Sequence, residues 1–184
     1  MSTLKKKPIK VESDIKVDFD AGKLAVSGSK GTLTLNLPPE VLFQYQDNLI
    51  SLKNKEGDSD ISLLGLYYSL IKNAIIGVKT GWQKTLEMVG VGFRAQTDGK
   101  KLSLFVGFSH PVEFTAPQDI LFIVTENKIL VQGIDKYLVG EIAASIKRVK
   151  PPEPYKGKGI KYLGEKIRKK AGKAAKGVGG AVGK

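Results

Sequence analysis

The sequence predicts an α+β fold in which two copies of one module follow each other, each an antiparallel sheet with one packed helix, before a basic C-terminal extension. Three observations support this prediction: strand-like alternation of apolar residues, two stretches with helical spacing, and short segments that recur at a nearly constant offset. The expected divisions are residues 1–80 and 81–150 for the two modules and 151–184 for the basic tail.

Antiparallel strands are predicted for the start of the chain. Apolar residues alternate with polar ones across residues 15–37, and Gly or Asp separates the runs. Residues 41–46 and 49–52 form a further predicted hairpin, since Asp47-Asn48 between them is a pair that tolerates a tight turn.

The first predicted helix follows this hairpin. Apolar residues recur with helical spacing over residues 63–75. The acidic residues at 58–60 are expected to cap its start, and Gly77 is expected to end it. The module boundary is therefore expected near residues 79–82.

The second half repeats this plan. Asp98-Gly99 predicts a hairpin between residues 93–97 and 102–106. A helix is expected over residues 135–149, where apolar residues again share one face. Further strands are predicted at residues 112–115, 120–124 and 129–131.

Matching segments indicate a duplication. Leu63-Leu64-Gly65 of the first helix matches Leu138-Val139-Gly140 of the second at an offset of 75 residues. Strand segments match in the same order: Leu33 and Leu35 with Leu102 and Leu104, and residues 48–52 with residues 127–131.

The net charge of +12 is concentrated at the C-terminus. Residues 147–184 contain 13 Lys and Arg against two acids, whereas residues 1–146 contain 17 against 16. A nearly neutral body with a cationic arm is typical of proteins that bind nucleic acid or an anionic membrane. Large apolar residues on one helical face are few in the arm, which favours nucleic acid. The smaller cluster at residues 5–7 is either a second contact or a solvated tail.

The arm also has an ordered composition. Tyr155 and Tyr162 lie among lysines, so phosphates could be neutralised while tyrosine rings stack on bases. Prolines at its start restrict the backbone to extended conformations. Gly157 and Gly159 would let the backbone approach a phosphate closely.

The sequence offers no recognisable catalytic site and no cofactor is expected. Cysteine is absent and there is one histidine, which excludes disulfides, thiolate metal sites and clusters of imidazole ligands. Residues 90–95 match G-x-G-x-x-A, but strand-like alternation follows, so a bend or bulge within a sheet is expected instead of a dinucleotide loop. Ser109 and His110 are adjacent, and neighbours on an extended chain point to opposite faces. By itself this pair is therefore not expected to act as a nucleophile and its base.

Three segments resemble the bacterial-type large-ribosomal-subunit protein six family. They are PEPYKGKGI at residues 152–160, LEMVGVGFRA at 86–95 and GFSHPV at 107–112. The resemblance covers nearly the whole chain. It implies two repeated α+β domains bound to large-subunit (23S-type) rRNA near the stalk base and the sarcin–ricin loop, where translational GTPases dock.

Three other functions are the alternatives: a free-standing RNA chaperone, a nucleotide-binding enzyme and a membrane-surface protein. If the arm is separate from the body, truncation after Val149 is expected to leave both modules folded.

The resemblance also implies the partners and the location. Neighbouring large-subunit proteins are further partners, no membrane or small-molecule substrate is expected, and the location is the cytoplasmic ribosome. The implied RNA contacts are Lys150, Tyr155, Lys156, Lys158, Lys161, Tyr162, Arg168, Lys169, Lys170 and Lys173, with Ser109, His110 and Lys136 as a second tier.

Overall fold

The structure, a computed structural model, describes residues 8–54 and 61–170. The first half contains the elements β1 (Ile9–Lys10), β2 (Lys16–Asp20), β3 (Lys23–Gly28), β4 (Gly31–Asn36), β5 (Val41–Gln46), β6 (Leu49–Asn54) and α1 (Ile61–Lys79). The second half contains β7 (Trp82–Val89), β8 (Arg94–Thr97), β9 (Lys101–Phe105), β10 (Val112–Thr115), β11 (Ile120–Thr125), β12 (Lys128–Gly133), α2 (Lys136–Val149) and β13 (Gly159–Tyr162).

The strand order confirms the α+β fold and is the same in both halves. Strands β2, β3 and β4 form one sheet in that order, and β8, β9 and β10 form its counterpart. The second sheet has the order β1–β6–β5 in the first half and β7–β12–β11 in the second half, where β13 adds a fourth strand beside β7. Each module therefore has two small antiparallel sheets, where the sequence predicted one.

One of the two matched strand pairs is out of register with this repeat by one strand, whereas residues 48–52 and 127–131 fall on the counterpart strands β6 and β12, as predicted. Leu102 and Leu104 lie in β9, the central strand of its sheet, whose counterpart is β3. The sequence matched them with Leu33 and Leu35, which lie in the edge strand β4. Alternating leucines occur in both positions, so the pattern alone did not separate a central strand from an edge strand.

Each half buries its own apolar cluster. In the first, Leu24 and Val26 of the central strand β3 pack against Ile71 of α1, and all three are inaccessible to solvent. In the second, Ile146 of α2 packs with Ile160 of β13 in a cluster to which every strand of the larger sheet contributes buried side chains. The helix and sheet of each half therefore exclude water together, which is the main driving force for this arrangement.

The predicted turns are present, but the end of the first helix differs from the prediction. Asp47 and Asn48 both have positive φ, at 50° and 59°, as a tight hairpin turn requires. Helix α1 continues through Gly77 to Lys79, and Gly81, at φ 80°, ends it by donating its N–H to the Gly77 carbonyl at 2.9 Å. The acidic residues expected to cap its start lie outside the described residues.

Candidate nucleic-acid interface

Three loops meet at one end of the second module. Gly159 pairs with Val89, which places the start of β13 beside the loop at residues 90–92. Lys150 Nζ lies 5.1 Å from the centroid of the Phe108 ring, which joins the loop at residues 107–110 to the same end. We call residues 90–92, 107–110 and 150–158 the loop face.

The chain beyond the second helix is folded against this end. Ile160 N–H donates to the Lys150 carbonyl at 2.7 Å, and Ile160 itself is inaccessible to solvent. Gly159 has no room for a side chain, since an added Cβ would lie 2.6 Å from the Pro151 carbonyl oxygen. We call residues 150–170 the C-terminal strap. Its first part is a structural component of the second module, so truncation after Val149 would remove a core residue, contrary to the sequence-based expectation.

The tip of the strap is a tight loop that carries an exposed aromatic ring. Glu153 N–H donates to the Lys158 carbonyl at 2.9 Å, and Gly157 N–H donates to the Glu153 carbonyl at 3.1 Å. Tyr155 at the tip is 57% exposed. The Lys170 N–H donates to the Pro154 carbonyl at 2.9 Å, so the end of the strap returns to this tip. Two cationic passes of the chain therefore lie next to each other.

The strap presents exposed cations along both passes. None of these cations forms an ion pair with a carboxylate among the described residues, so each can approach a phosphate without first losing such a partner. The exposed cations are Lys156, Lys158, Lys166, Arg168, Lys169 and Lys170. Lys166 was not among the predicted contacts.

Two predicted RNA contacts are occupied within the protein instead. Lys161 Nζ lies 3.2 Å from Glu87 Oε2 across the β13–β7 pair. The Tyr162 ring has Lys147 Nζ at 4.7 Å and Lys84 Nζ at 5.8 Å from its centroid. These contacts favour a structural role for both residues, because Lys161 has a carboxylate partner and two ammonium groups lie close to the Tyr162 ring.

Lys147 of α2 is paired with Glu165 of the strap. Its Nζ donates to both Glu165 carboxylate oxygens, at 2.6 and 2.8 Å, and the Tyr162 N–H donates to Oε2 at 2.9 Å. The Lys147 hydrogen bond, followed by that from Tyr162, lowers the pKa of Glu165 below its ordinary value of 4.5. The carboxylate therefore stays charged and fixes the chain where it leaves β13.

The remaining predicted contacts fall into three groups. Ser109 and His110 are exposed on the loop face. Lys136 lies at the opposite end of α2 from Lys150, where it contacts Asn73 and Trp82 of other elements. Lys173 lies outside the described residues.

Sequence reasoning missed two exposed apolar residues of the loop face. Phe108 is 46% exposed beneath the Lys150 ammonium, and Val91 is 93% exposed between two glycines. Phe108 lies inside the GFSHPV segment, so an exposed aromatic next to Ser109 and His110 was the available signal. The sequence carries no sign that Lys150 lies across its ring, because that contact depends on the fold.

The glycine-rich segment at residues 90–95 is not a dinucleotide loop. Strand β7 ends at Val89, and the next element is strand β8 from Arg94, where the nucleotide motif requires a helix. The segment joins two different sheets, so it is not the bend or bulge within one sheet that the sequence predicted. Neither helix of the described chain is both long and apolar enough to span a bilayer.

Charge is unevenly divided between the two halves. Residues 82–170 contain 16 Lys and Arg against nine Asp and Glu, a net charge of +7. Residues 8–54 and 61–81 contain seven against six, a net charge of +1. A polyanion would therefore be attracted chiefly to the second module and its strap.

Comparisons with known proteins agree with this architecture. The family model for ribosomal protein L6 matches residues 89–163. Large ribosomal subunit protein uL6 of Maridesulfovibrio salexigens is 48% identical over 179 residues, which cover 96% of this chain and 100% of that protein. The uL6 protein of Chloroflexus aggregans is 48% identical over 185 residues, and uL6c of Guillardia theta is 45% identical over 178, each covering 96% of this chain and 99% of the relative. Because these matches run the length of both partners, the chain belongs to the uL6 family, whose members are structural ribosomal proteins and not enzymes.

Proposed function

We propose that this protein is a structural component of the large ribosomal subunit that binds 23S-type rRNA through the loop face and the C-terminal strap. The observation that carries the proposal is the set of six exposed cations in the strap, which lie in the same segment as the exposed Tyr155 and have no carboxylate partner within the described part of the chain. Cations of this kind neutralise phosphates, and an exposed ring can stack on an unpaired base. The names of its relatives support the large subunit as the setting.

The finer parts of the proposal concern position and partners. The family resemblance implies a place near the stalk base and the sarcin–ricin loop, with neighbouring large-subunit proteins in contact and the cytoplasmic ribosome as the location.

We also propose that the second module extends past residue 150 to Tyr162, because β13 belongs to its sheet. The proposed contacts, all exposed or partly exposed, are Lys150, Tyr155, Lys156, Lys158, Lys166, Arg168, Lys169, Lys170, Ser109 and His110.

The salt dependence of RNA binding tests the proposal. If the six exposed strap cations each neutralise one phosphate, the slope of log K against log salt is about −4.2 to −5.4. Affinity for a protein-free 23S-type rRNA transcript should then fall roughly 340- to 1,800-fold between about 50 and 200 mM salt. Filter binding with the full-length protein measures this directly.

Paired variants locate the contact. Lys156→Gln with Lys158→Gln should make the slope shallower by about 1.4 to 1.8, the loss of two phosphate contacts. Lys16→Gln with Lys23→Gln is the matched control, because both lysines are exposed on the nearly neutral first module. An equal change in the two double variants would mean that binding follows net charge alone, and the proposed interface would be rejected.

A further inference from the structure

The two modules share a joint at which one side chain crosses between them. Ile134 follows strand β12 of the second module, yet it packs against the apolar cluster of the first. Two glycines of the first module make room for it. A Cβ added to Gly31 would lie 2.7 Å from Ile134 Cδ1, and one added to Gly77 would lie well inside 3.0 Å of the Ile134 carbonyl oxygen.

A polar contact closes the joint next to Ile134. Lys136 Nζ donates to Asn73 Oδ1 at 3.2 Å, and the same ammonium lies 4.5 Å from the centroid of the Trp82 ring. The Trp82 Nε1–H donates to the Asn73 carbonyl at 3.0 Å. Asn73 is in α1, Trp82 begins β7 and Lys136 begins α2, so three elements meet at this point.

We infer that Asn73, Trp82, Ile134 and Lys136 form a latch that fixes the orientation of the two modules, and that Lys136 is a positioning residue and not a phosphate ligand. Its ammonium donates one of its three N–H groups to the Asn73 amide oxygen and lies over the Trp82 ring, so side chains of two other elements hold it in place. The family resemblance had suggested Lys136 as an RNA contact. The consequence for RNA binding rests on the proposed function, whereas the consequence for orientation does not.

The orientation is measured by the distance between spin labels on the two modules. The chain has no cysteine, so Gln44→Cys and Glu113→Cys, both at exposed strand positions, give one label on each module. The latch predicts one narrow distance distribution in the otherwise unchanged protein. Lys136→Met and Asn73→Ala should each broaden or shift it, since each removes one side of the same contact. Ile134→Ala should do so more strongly, and Ile134→Val should largely preserve it.

RNA binding by the same variants separates positioning from phosphate contact. Lys136→Met and Asn73→Ala should each weaken binding of the 23S-type transcript about two- to fivefold at every salt concentration. The slope of log K against log salt should stay unchanged, whereas Lys158→Gln should make it shallower by about 0.7 to 0.9.

Two results would overturn the inference. One is an unchanged distance distribution in both Lys136→Met and Asn73→Ala. The other is a loss of slope in Lys136→Met as large as that expected for Lys158→Gln, which would identify Lys136 as a phosphate ligand. If Lys158→Gln has no effect on binding, the proposed RNA interface fails, while the distance measurements still decide whether the latch exists.

Discussion

Replacing Ile160 with Ala tests whether the C-terminal strap is part of the second module's core. Ile160 is inaccessible to solvent, and its strand forms four residue pairs with β7. Removing a buried isoleucine side chain down to Cβ typically costs about 2–5 kcal/mol, through lost apolar transfer and the cavity that remains. The surrounding leucine, isoleucine and methionine side chains belong to a dense cluster, so little collapse into the cavity is expected.

Chemical denaturation followed by far-UV circular dichroism measures this loss. The matched control is Leu163→Ala, three residues later in the strap, where the side chain is 55% exposed. The control should change the free energy of unfolding by less than about 1 kcal/mol. If Ile160→Ala destabilises the protein no more than Leu163→Ala does, β13 is not bound to the sheet in solution. The strap would then be a separate tail, as the sequence alone suggested.

Two further predictions use the joint and the strap. Gly77→Ala should destabilise the protein or shift the modules, because the added Cβ would collide with the Ile134 carbonyl. Gly65→Ala in the same helix has open space around the added Cβ and should stabilise the protein by about 0.5–1 kcal/mol. Thermal unfolding of both variants measures this, and equal changes in stability would contradict the predicted collision. The second prediction concerns Glu165, whose pKa is lower in the folded protein than its ordinary value of 4.5. Its contact with Lys147 therefore stabilises the folded protein when the pH is above 4.5, and this stabilisation is lost as the pH falls through the lower pKa of the folded state. Urea midpoints between about pH 6 and pH 3 should show a contribution below about 1 kcal/mol that is missing in Glu165→Gln, and a flat difference between the two proteins would exclude it.

Local patterns in the sequence were sufficient for elements whose residues interact with near neighbours. The hairpins at Asp47-Asn48 and Asp98-Gly99 were predicted because each turn is specified by the residues within it. Helix α2 was predicted because its apolar residues share one face. The structure adds that Asp135 caps its start, accepting the Tyr137 N–H at 2.8 Å. These features require no knowledge of the rest of the chain.

Elements defined by distant partners were not predicted. Strand β13 contains two lysine or tyrosine residues in four and follows a proline-rich turn, so its sequence resembles a solvated arm. Its burial comes from pairing with β7, about seventy residues earlier in the chain. The end of α1 was misplaced for a related reason: Gly77 is a glycine because Ile134 approaches it from the other module, and not because the helix stops there.

In the candidate site, too, some features could be predicted from local sequence and others depend on distant residues. Composition identified the strap as cationic, and the exposed lysines at 156, 158, 169 and 170 are consistent with that reading. Composition did not distinguish them from Lys161 and Lys147, which are paired with Glu87 and Glu165 in the folded protein. Whether a lysine is available to a phosphate depends on which carboxylates the fold places beside it, and that information is not local.

The difference between the two halves explains how a duplicated fold can present the proposed binding face on one copy. Both halves have the same strand order, but β7 is eight residues long and is paired on both sides, whereas β1 has two residues and, among the described residues, pairs with β6 alone. The extra length of β7 provides the edge on which β13 adds. That pairing brings the basic strap next to the loops of the second module and leaves the first module with a net charge of only +1 among its described residues. An edge strand that is extended and then occupied by the chain's own terminus therefore concentrates charge on one copy of the repeat, while the joint at Ile134 connects that copy to the nearly neutral one.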